Sequence, residues 1–177
     1  MRAQFVLVWT VVLIHTVLAM SSLPEQVLSG LLSQIHAQGH SDDEQLSRDI
    51  TSYCTWLRNR VRCLSAFLET IKIVKREPVS SERVISLSGE ADELMSEGAV
   101  PTVHQSYISV RLNLAQRDPS RAKYYLKQAH DSLEQYLDQL RKLYFGLRDI
   151  EGDPTQVSTS SGIIQALQNE LRYQQSR

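Results

Sequence analysis

Apolar residues recur every three or four positions along most of the chain, which is the spacing of amphipathic helices. The first such stretch predicts a helix over 23–38. A capping-box pattern from Ser22 to Glu25 marks its beginning, and Gly39 is a residue type that commonly ends a helix.

The second stretch predicts a long helix over about 42–76, because neither Gly nor Pro interrupts the chain there before Pro78. At about 100° per residue, its apolar positions cover about half of the helix circumference. An arc of that width predicts a central helix with several neighbours. The arc includes Ile50, Leu57, Val61, Leu64 and Leu68.

Two shorter helices are predicted next, one that begins at Ser80 and ends before Gly98, and one over about 101–117. The latter stretch is ambiguous, since apolar and polar residues alternate from Ile108 to Leu114 as they do in a strand. A helix is favoured, because no other segment offers a strand that could pair with it. One row of such a helix would contain Val103, Tyr107, Val110 and Leu114.

A fifth helix is predicted over 119–149. Asp118 and Pro119 suit the N-cap and the first position of a helix. Apolar residues that alternate three and four apart then form a seam like that of a coiled coil. A polar linker over 152–161 separates this helix from a last amphipathic helix over 162–177.

The expected fold class is all-α, an antiparallel helical bundle of five to six helices of which two are long. Short connections between most of the helices predict that sequential neighbours run antiparallel. The bundle domain would span 20–151, and the C-terminal helix over 162–177 would pack on it.

The N-terminal residues differ from the rest of the chain. Arg2 is followed by an apolar run that reaches Leu18, and Ala19 suits the position before a signal peptidase cut. A membrane-spanning helix would need about 20 apolar residues, whereas this run is shorter and contains His15. We therefore expect residues 1–19 to be a cleaved signal peptide and the mature protein to be secreted to the extracellular space.

Composition and motifs narrow the classes of function. A net charge of −1 lacks the basic footprint of a nucleic-acid-binding protein. No phosphate-binding loop, metalloprotease motif or serine-hydrolase motif occurs, and no cluster of polar residues is expected in the core. His36 and His40 flank a turn at Gly39, so they suit helix termini better than a metal site. The expectation is a protein that is not an enzyme and that binds no cofactor and no metal.

The two cysteines, Cys54 and Cys63, both fall in the second predicted helix. Secretion and an even number of cysteines favour a disulfide. Nine residues of continuous helix, however, separate two Cα atoms by about 13 Å, and a disulfide needs them within about 7 Å. Three alternatives follow: the helix breaks and the cysteines pair, both stay as buried thiols, or each pairs with another chain.

Four residues are candidates for binding a partner. Arg58 and Arg62 form a basic patch on the second helix, which would suit an acidic partner. Tyr124 and Phe145 project away from the seam of the fifth helix, where exposed aromatic rings can anchor an interface. Arg60 lies near the apolar arc, so it is either paired in the interior or reaches out to solvent.

The expected function is binding to another extracellular or cell-surface protein, as a receptor ligand or an extracellular subunit. Helical cytokines also combine secretion with long helices, so the architecture is cytokine-like in general terms only. Their helix order needs long crossover loops, and no motif here identifies that family.

Two alternatives to this function stay open. One is a carrier of an apolar ligand or a protein that binds lipid surfaces. The other is a structural homodimer, held by a cysteine or by a coiled coil. Under the expected function, the protein would contact a membrane only through its partner, and it would not contact nucleic acid.

Overall fold

A computed structural model describes most of the chain after residue 23. The described residues are 24–36, 43–76, 78–96, 100–149 and 161–175. The predicted signal peptide over 1–19 lies outside them, as does the predicted linker over 152–161 except for its last residue. Among the described helices, none is both long enough and apolar enough to cross a membrane.

The described residues form six α-helices and one short 3-10 helix, and no strand occurs among them. The predicted all-α fold class is therefore confirmed, while the antiparallel order of the helices stays a prediction. The six helices are α1 (Pro24–His36), α2 (Asp43–Arg76), α3 (Ser81–Ser96), α4 (Thr102–Arg117), α5 (Ala122–Asp149) and α6 (Ser161–Gln175).

The start of the fifth predicted helix differs in detail from the expectation. A 3-10 turn over Pro119–Arg121 precedes α5, and the Asp118 side chain makes no capping hydrogen bond there. The backbone carbonyl of Asp118 instead accepts a hydrogen bond from the Arg121 amide at 3.1 Å. A 3-10 turn at a helix N-terminus is a common way to pair backbone groups that an α-helix leaves open.

The two long helices, α2 and α5, pack extensively on each other and form the centre of the molecule. Helix α2 also contacts α1 and α3, as its wide apolar arc predicts, and α5 also contacts α4 and α6. Leu57 and Leu64 of α2 and Leu133 and Leu137 of α5 are fully buried. Helices α1 and α6 contact each other, so the first and last described helices pack side by side.

The packing of α4 explains why its sequence resembles that of a strand. Ile108 and Leu112 are buried against the bundle, whereas Val103 and Val110 are exposed. Residues two positions apart on a helix differ by about 200°, so they lie on opposite faces. A helix that is apolar on two faces therefore alternates like a strand, and the prediction of a helix over 101–117 is confirmed.

Candidate functional site

The core contains a charged pair that joins helices far apart in the sequence. The Arg60 Nη1 group on α2 donates a hydrogen bond of 2.8 Å to Glu170 Oε1 on α6. The two side chains are only 1% and 5% exposed. The Arg60 guanidinium also lies 4.6 Å from the centre of the Trp56 ring and 5.3 Å from that of Tyr136, both within cation–π range.

Two tyrosines complete this group, which we call the buried polar cluster: Tyr53, Arg60, Tyr136 and Glu170. The Tyr136 hydroxyl donates to Glu170 Oε1 at 3.3 Å. Burial, and then the charge of Glu170, raise the pKa of Tyr53 well above its ordinary value. The Tyr53 hydroxyl has no hydrogen-bond acceptor among the described residues. Because its members are buried, the cluster can orient helices but offers little surface to a ligand.

Helix α4 reaches the same cluster through His104. The imidazole stacks on the Tyr136 ring at 5.2 Å between centroids, and its Nδ1 lies 3.0 Å from the Ser132 hydroxyl. Burial lowers the pKa of His104 below its ordinary value. Four helices, α2, α4, α5 and α6, are thus tied together at one level of the bundle.

The buried polar cluster corrects the expectation that the core holds no polar group. Arg60 is paired in the interior, which was one of its two predicted positions. Glu170 was missed, although its position carried a signal: it follows Leu167 on the apolar face of α6 and precedes Leu171. A charged residue on the apolar face of each of two helices is the pattern that indicates such a pair.

The predicted basic residues Arg58 and Arg62 lie together on the outer face of α2, and both are exposed. They are four residues apart, so they are neighbours on one side of the helix. Among the described residues no carboxylate forms an ion pair with either of them. The structure thus shows that both side chains are exposed, while their role in binding a partner stays a prediction.

The predicted aromatic residues Tyr124 and Phe145 are both exposed, but they do not form one surface. They lie 21 residues apart on α5, which corresponds to about 31 Å along the helix axis. The Tyr124 hydroxyl accepts a hydrogen bond of 2.9 Å from Gln128, and Phe145 lies 5.1 Å from the guanidinium of Arg148. Each ring therefore belongs to a different end of the bundle.

A further exposed surface lies on α4. Val103, Tyr107 and Val110, which we call the α4 row, are 68%, 38% and 53% exposed. Their spacing of four and three residues places them on one side of the helix. The Arg111 guanidinium covers the Tyr107 ring at 4.7 Å. The sequence pattern predicts that these residues lie on one row of a helix, but it does not predict that this row faces outward.

One group of side chains has the composition of a metal site. Ligand atoms of His130, Asp131 and Glu134 on α5 lie within 4.8 Å of one another. His130 Nδ1 is already 3.2 Å from Asp131 Oδ1, and its Nε2 atom is buried with no hydrogen-bond partner among the described residues. Because a metal-bound histidine usually donates its other ring N–H to a fixed acceptor, this arrangement does not support a metal site.

A partly open groove of about 220 Å³ lies between α2 and α3. Ile73 and Leu87 contribute apolar surface to it, and Thr70 and Glu90 contribute polar groups. Burial, followed by the charge of Glu93, raises the pKa of Glu90. The groove is smaller than the pockets of about 300–1,000 Å³ that usually hold small ligands.

Helix α2 is continuous across both cysteines, and the structure contains no disulfide between them. Cys54 is buried, whereas Cys63 is partly exposed. A bond between them would require a break in α2, so the two remaining alternatives are thiols and a bond to another chain.

The structure predicts that reduction of the purified monomer adds no hydrogens to its intact mass, because the cysteines do not pair with each other. In the folded protein, a maleimide should label Cys63 faster than Cys54, since only Cys63 is partly exposed. Mass spectrometry of the labelled peptides measures both rates. A gain of two hydrogens in a monomer would contradict the continuous helix, and a doubled mass that collapses on reduction would support the covalent dimer.

Comparisons of the chain with protein-family models, with curated proteins and with solved structures give no match.

Proposed function

We propose that this protein acts by binding another protein through exposed faces of its helical bundle. The observation that carries the proposal is the α4 row, three apolar side chains that lie on one side of a helix and face outward. Single exposed apolar residues are common on protein surfaces, whereas a contiguous exposed row is typical of an interaction site.

Burial of the α4 row by a partner would contribute a measurable free energy to binding. Complete burial of a Val or a similar side chain is worth about 1.5–3 kcal/mol. With the exposed fractions of Val103, Tyr107 and Val110, the hydrophobic gain from covering the row is on the order of 3 kcal/mol. That gain could supply the centre of an interface, and a polar rim would supply specificity.

The proposed partner is an extracellular or cell-surface protein, since the N-terminal residues have the pattern of a secretory signal peptide. In that setting the chain would serve as a receptor ligand or an extracellular subunit. That it is not an enzyme also stays a prediction. Arg58 and Arg62 would contribute to a second contact, with an acidic area of a partner.

The direct test is binding of the labelled, purified secreted protein to a panel of cell types. Saturable binding that unlabelled protein competes, and that protease treatment of the cells abolishes, would support a protein partner. Binding that survives the protease and depends on lipid composition would contradict the proposal and favour the lipid-surface alternative. Absence of saturable binding on every cell type would also contradict a cell-surface partner.

The double variant Arg58→Glu/Arg62→Glu should fold normally and bind the same cells more weakly. Both side chains are exposed and form no ion pair among the described residues, so stability should change by no more than about 0.5 kcal/mol. Reversing two charges at an interface should lower the association rate and make it less sensitive to salt. Thermal unfolding and cell binding measure the two effects.

A charge-matched control for this variant is Lys142→Glu/Arg172→Glu, which changes two exposed basic residues on α5 and α6. If the control weakens binding as much as Arg58→Glu/Arg62→Glu does, the effect comes from net charge and not from a surface on α2. Unchanged binding in Arg58→Glu/Arg62→Glu would remove this face as a contact.

A further inference from the structure

Basic residues concentrate next to the α4 row. Residues 102–127 contain five of them and a single carboxylate, Asp118, which gives this segment a charge of +4 in a chain of net charge −1. The Asp118 carboxylate already accepts a hydrogen bond from the Ser120 hydroxyl, which holds the pKa of Asp118 below its ordinary value. We call the five basic residues the basic end: Arg111, Arg117, Arg121, Lys123 and Lys127.

Among the residues that the structure describes, most of the basic end has no acidic partner. Arg121 lies 4.0 Å from Asp118, but no carboxylate among the described residues pairs with Arg117, Lys123 or Lys127. All three of these side chains are exposed. Their charge is thus available to an external anionic group.

One residue of the basic end, Arg117, continues the line of the α4 row, and together they form a strip along α4. At about 100° per residue, Arg117 falls within about 40° of Val103, so it lies on the same side of α4 as the row, beyond the partly buried Leu114. The distance from Val103 to Arg117 along the helix is about 21 Å. Arg111 flanks the strip, with its guanidinium 4.7 Å from the Tyr107 ring.

We propose that the α4 row and the basic end dock an amphipathic helix of a partner protein, one that carries Asp or Glu beside its apolar side chains. This inference rests on the proposed function and assigns it a site. The alternating spacing of four and three residues matches the ridges that a second helix packs against. A strip of about 21 Å accommodates about four turns of that helix. The positive charge along the strip selects an acidic partner.

A second copy of this chain is a poorer occupant of the strip. It would bring a second segment of charge +4 to the same interface, and two segments of like charge repel each other. A lipid surface is also disfavoured. Helices that lie in membranes present a wide apolar face, whereas the row is about one side chain wide because Ile108, Leu112 and Ala115 are buried in the bundle.

The test uses a fluorescent helical peptide of about 21 residues with Leu at the heptad a and d positions and Glu at the flanking positions. The control peptide has Lys in place of every Glu. Fluorescence anisotropy against the purified secreted protein should show that the Glu peptide binds at least about tenfold more tightly than the Lys peptide. The affinity for the Glu peptide should fall as salt is added.

Two variants locate the binding site of the peptide. Val103→Ser/Val110→Ser should weaken binding of the Glu peptide at least about tenfold, without a change in the circular dichroism spectrum. The matched control is Ile73→Ser/Ile85→Ser, because these two residues are 55% and 52% exposed and lie on α2 and α3. The control should bind the Glu peptide as the unmodified protein does.

Several outcomes would overturn the docking site. One is that the Lys peptide binds as tightly as the Glu peptide. Another is that Ile73→Ser/Ile85→Ser weakens binding of the Glu peptide as much as Val103→Ser/Val110→Ser does. A third is that the Glu peptide does not bind, whereas phosphatidylserine-containing vesicles bind in a way that depends on Val103 and Val110. Self-association that Val103→Ser/Val110→Ser abolishes would assign the strip to a second copy. If this variant still binds cells normally, the docking site is wrong but the proposed function stands. If the unmodified protein shows no saturable binding to cells, the proposed function itself is wrong, which is a different result from failure of the docking site.

Discussion

Replacing Arg60 with Ala should lower the free energy of unfolding by about 3–5 kcal/mol, because it leaves the Glu170 carboxylate buried without its partner. The variant also removes the cation that lies between the Trp56 and Tyr136 rings. A loss of this size is a large part of the total stability of an ordinary domain, which is about 5–15 kcal/mol. Urea unfolding followed by circular dichroism measures it.

The neighbouring variant Arg58→Ala is the control, since it removes the same side chain from an exposed position on α2. It should change stability by no more than about 0.5 kcal/mol. The double variant Arg60→Met/Glu170→Leu should recover most of the loss, because an apolar pair of similar volume often equals a buried ion pair in stability. If Arg60→Ala and Arg58→Ala lose equal stability, Arg60 and Glu170 do not form a buried pair.

Replacing Leu64 with Asp should abolish cooperative unfolding or lower the free energy of unfolding by more than about 4 kcal/mol. Leu64 is 0% exposed at the centre of α2, and a carboxylate there would have to be buried without a partner or accept a proton. On the proposed secretion of the chain, the variant should also be exported in lower yield, because destabilised chains are removed by quality control. Thermal melting and the yield of exported protein measure both effects.

The matched control is Ala66→Asp, which places the same charge two residues further along the same helix at an exposed position. It should melt and be exported nearly as the unmodified protein is. Normal melting of Leu64→Asp would show that the inward face of α2 has been assigned to the wrong residues. Equal damage from both variants would mean that α2 tolerates no acidic residue, whatever face it occupies.

The buried polar cluster helps to fix the position of the C-terminal helix, α6, on the bundle. Leu167 and Glu170 are the described α6 residues whose side chains are buried, and Glu170 bonds to α2 and α5 at once. Apolar packing of α6 is otherwise limited to partly buried residues such as Ile163 and Leu171. The ion pair therefore selects one position of α6 on the bundle, since sliding the helix by one turn would leave both charges unpaired.

The sequence alone determined the local features of this protein. Capping residues, the positions of Gly and Pro, and the period of apolar residues act over a few neighbouring residues, so they predict helices such as α2 and α5 without knowledge of the fold. The same short-range pattern showed that Arg58, Arg62, Tyr124 and Phe145 point away from the apolar faces, and the structure leaves all of these side chains exposed.

Where the local sequence pattern allowed two equivalent arrangements of side chains, only the tertiary structure decided between them. Helix α4 has two apolar faces, and only packing against α3 and α5 determined that Ile108 is buried and Val103 is left for a partner. Arg60 and Glu170 are 110 residues apart, so their pairing depends on where α6 docks. A local pattern shows that an apolar side chain needs to be buried or that a charged side chain needs a partner. Long-range packing selects the residues that bury it or pair with it.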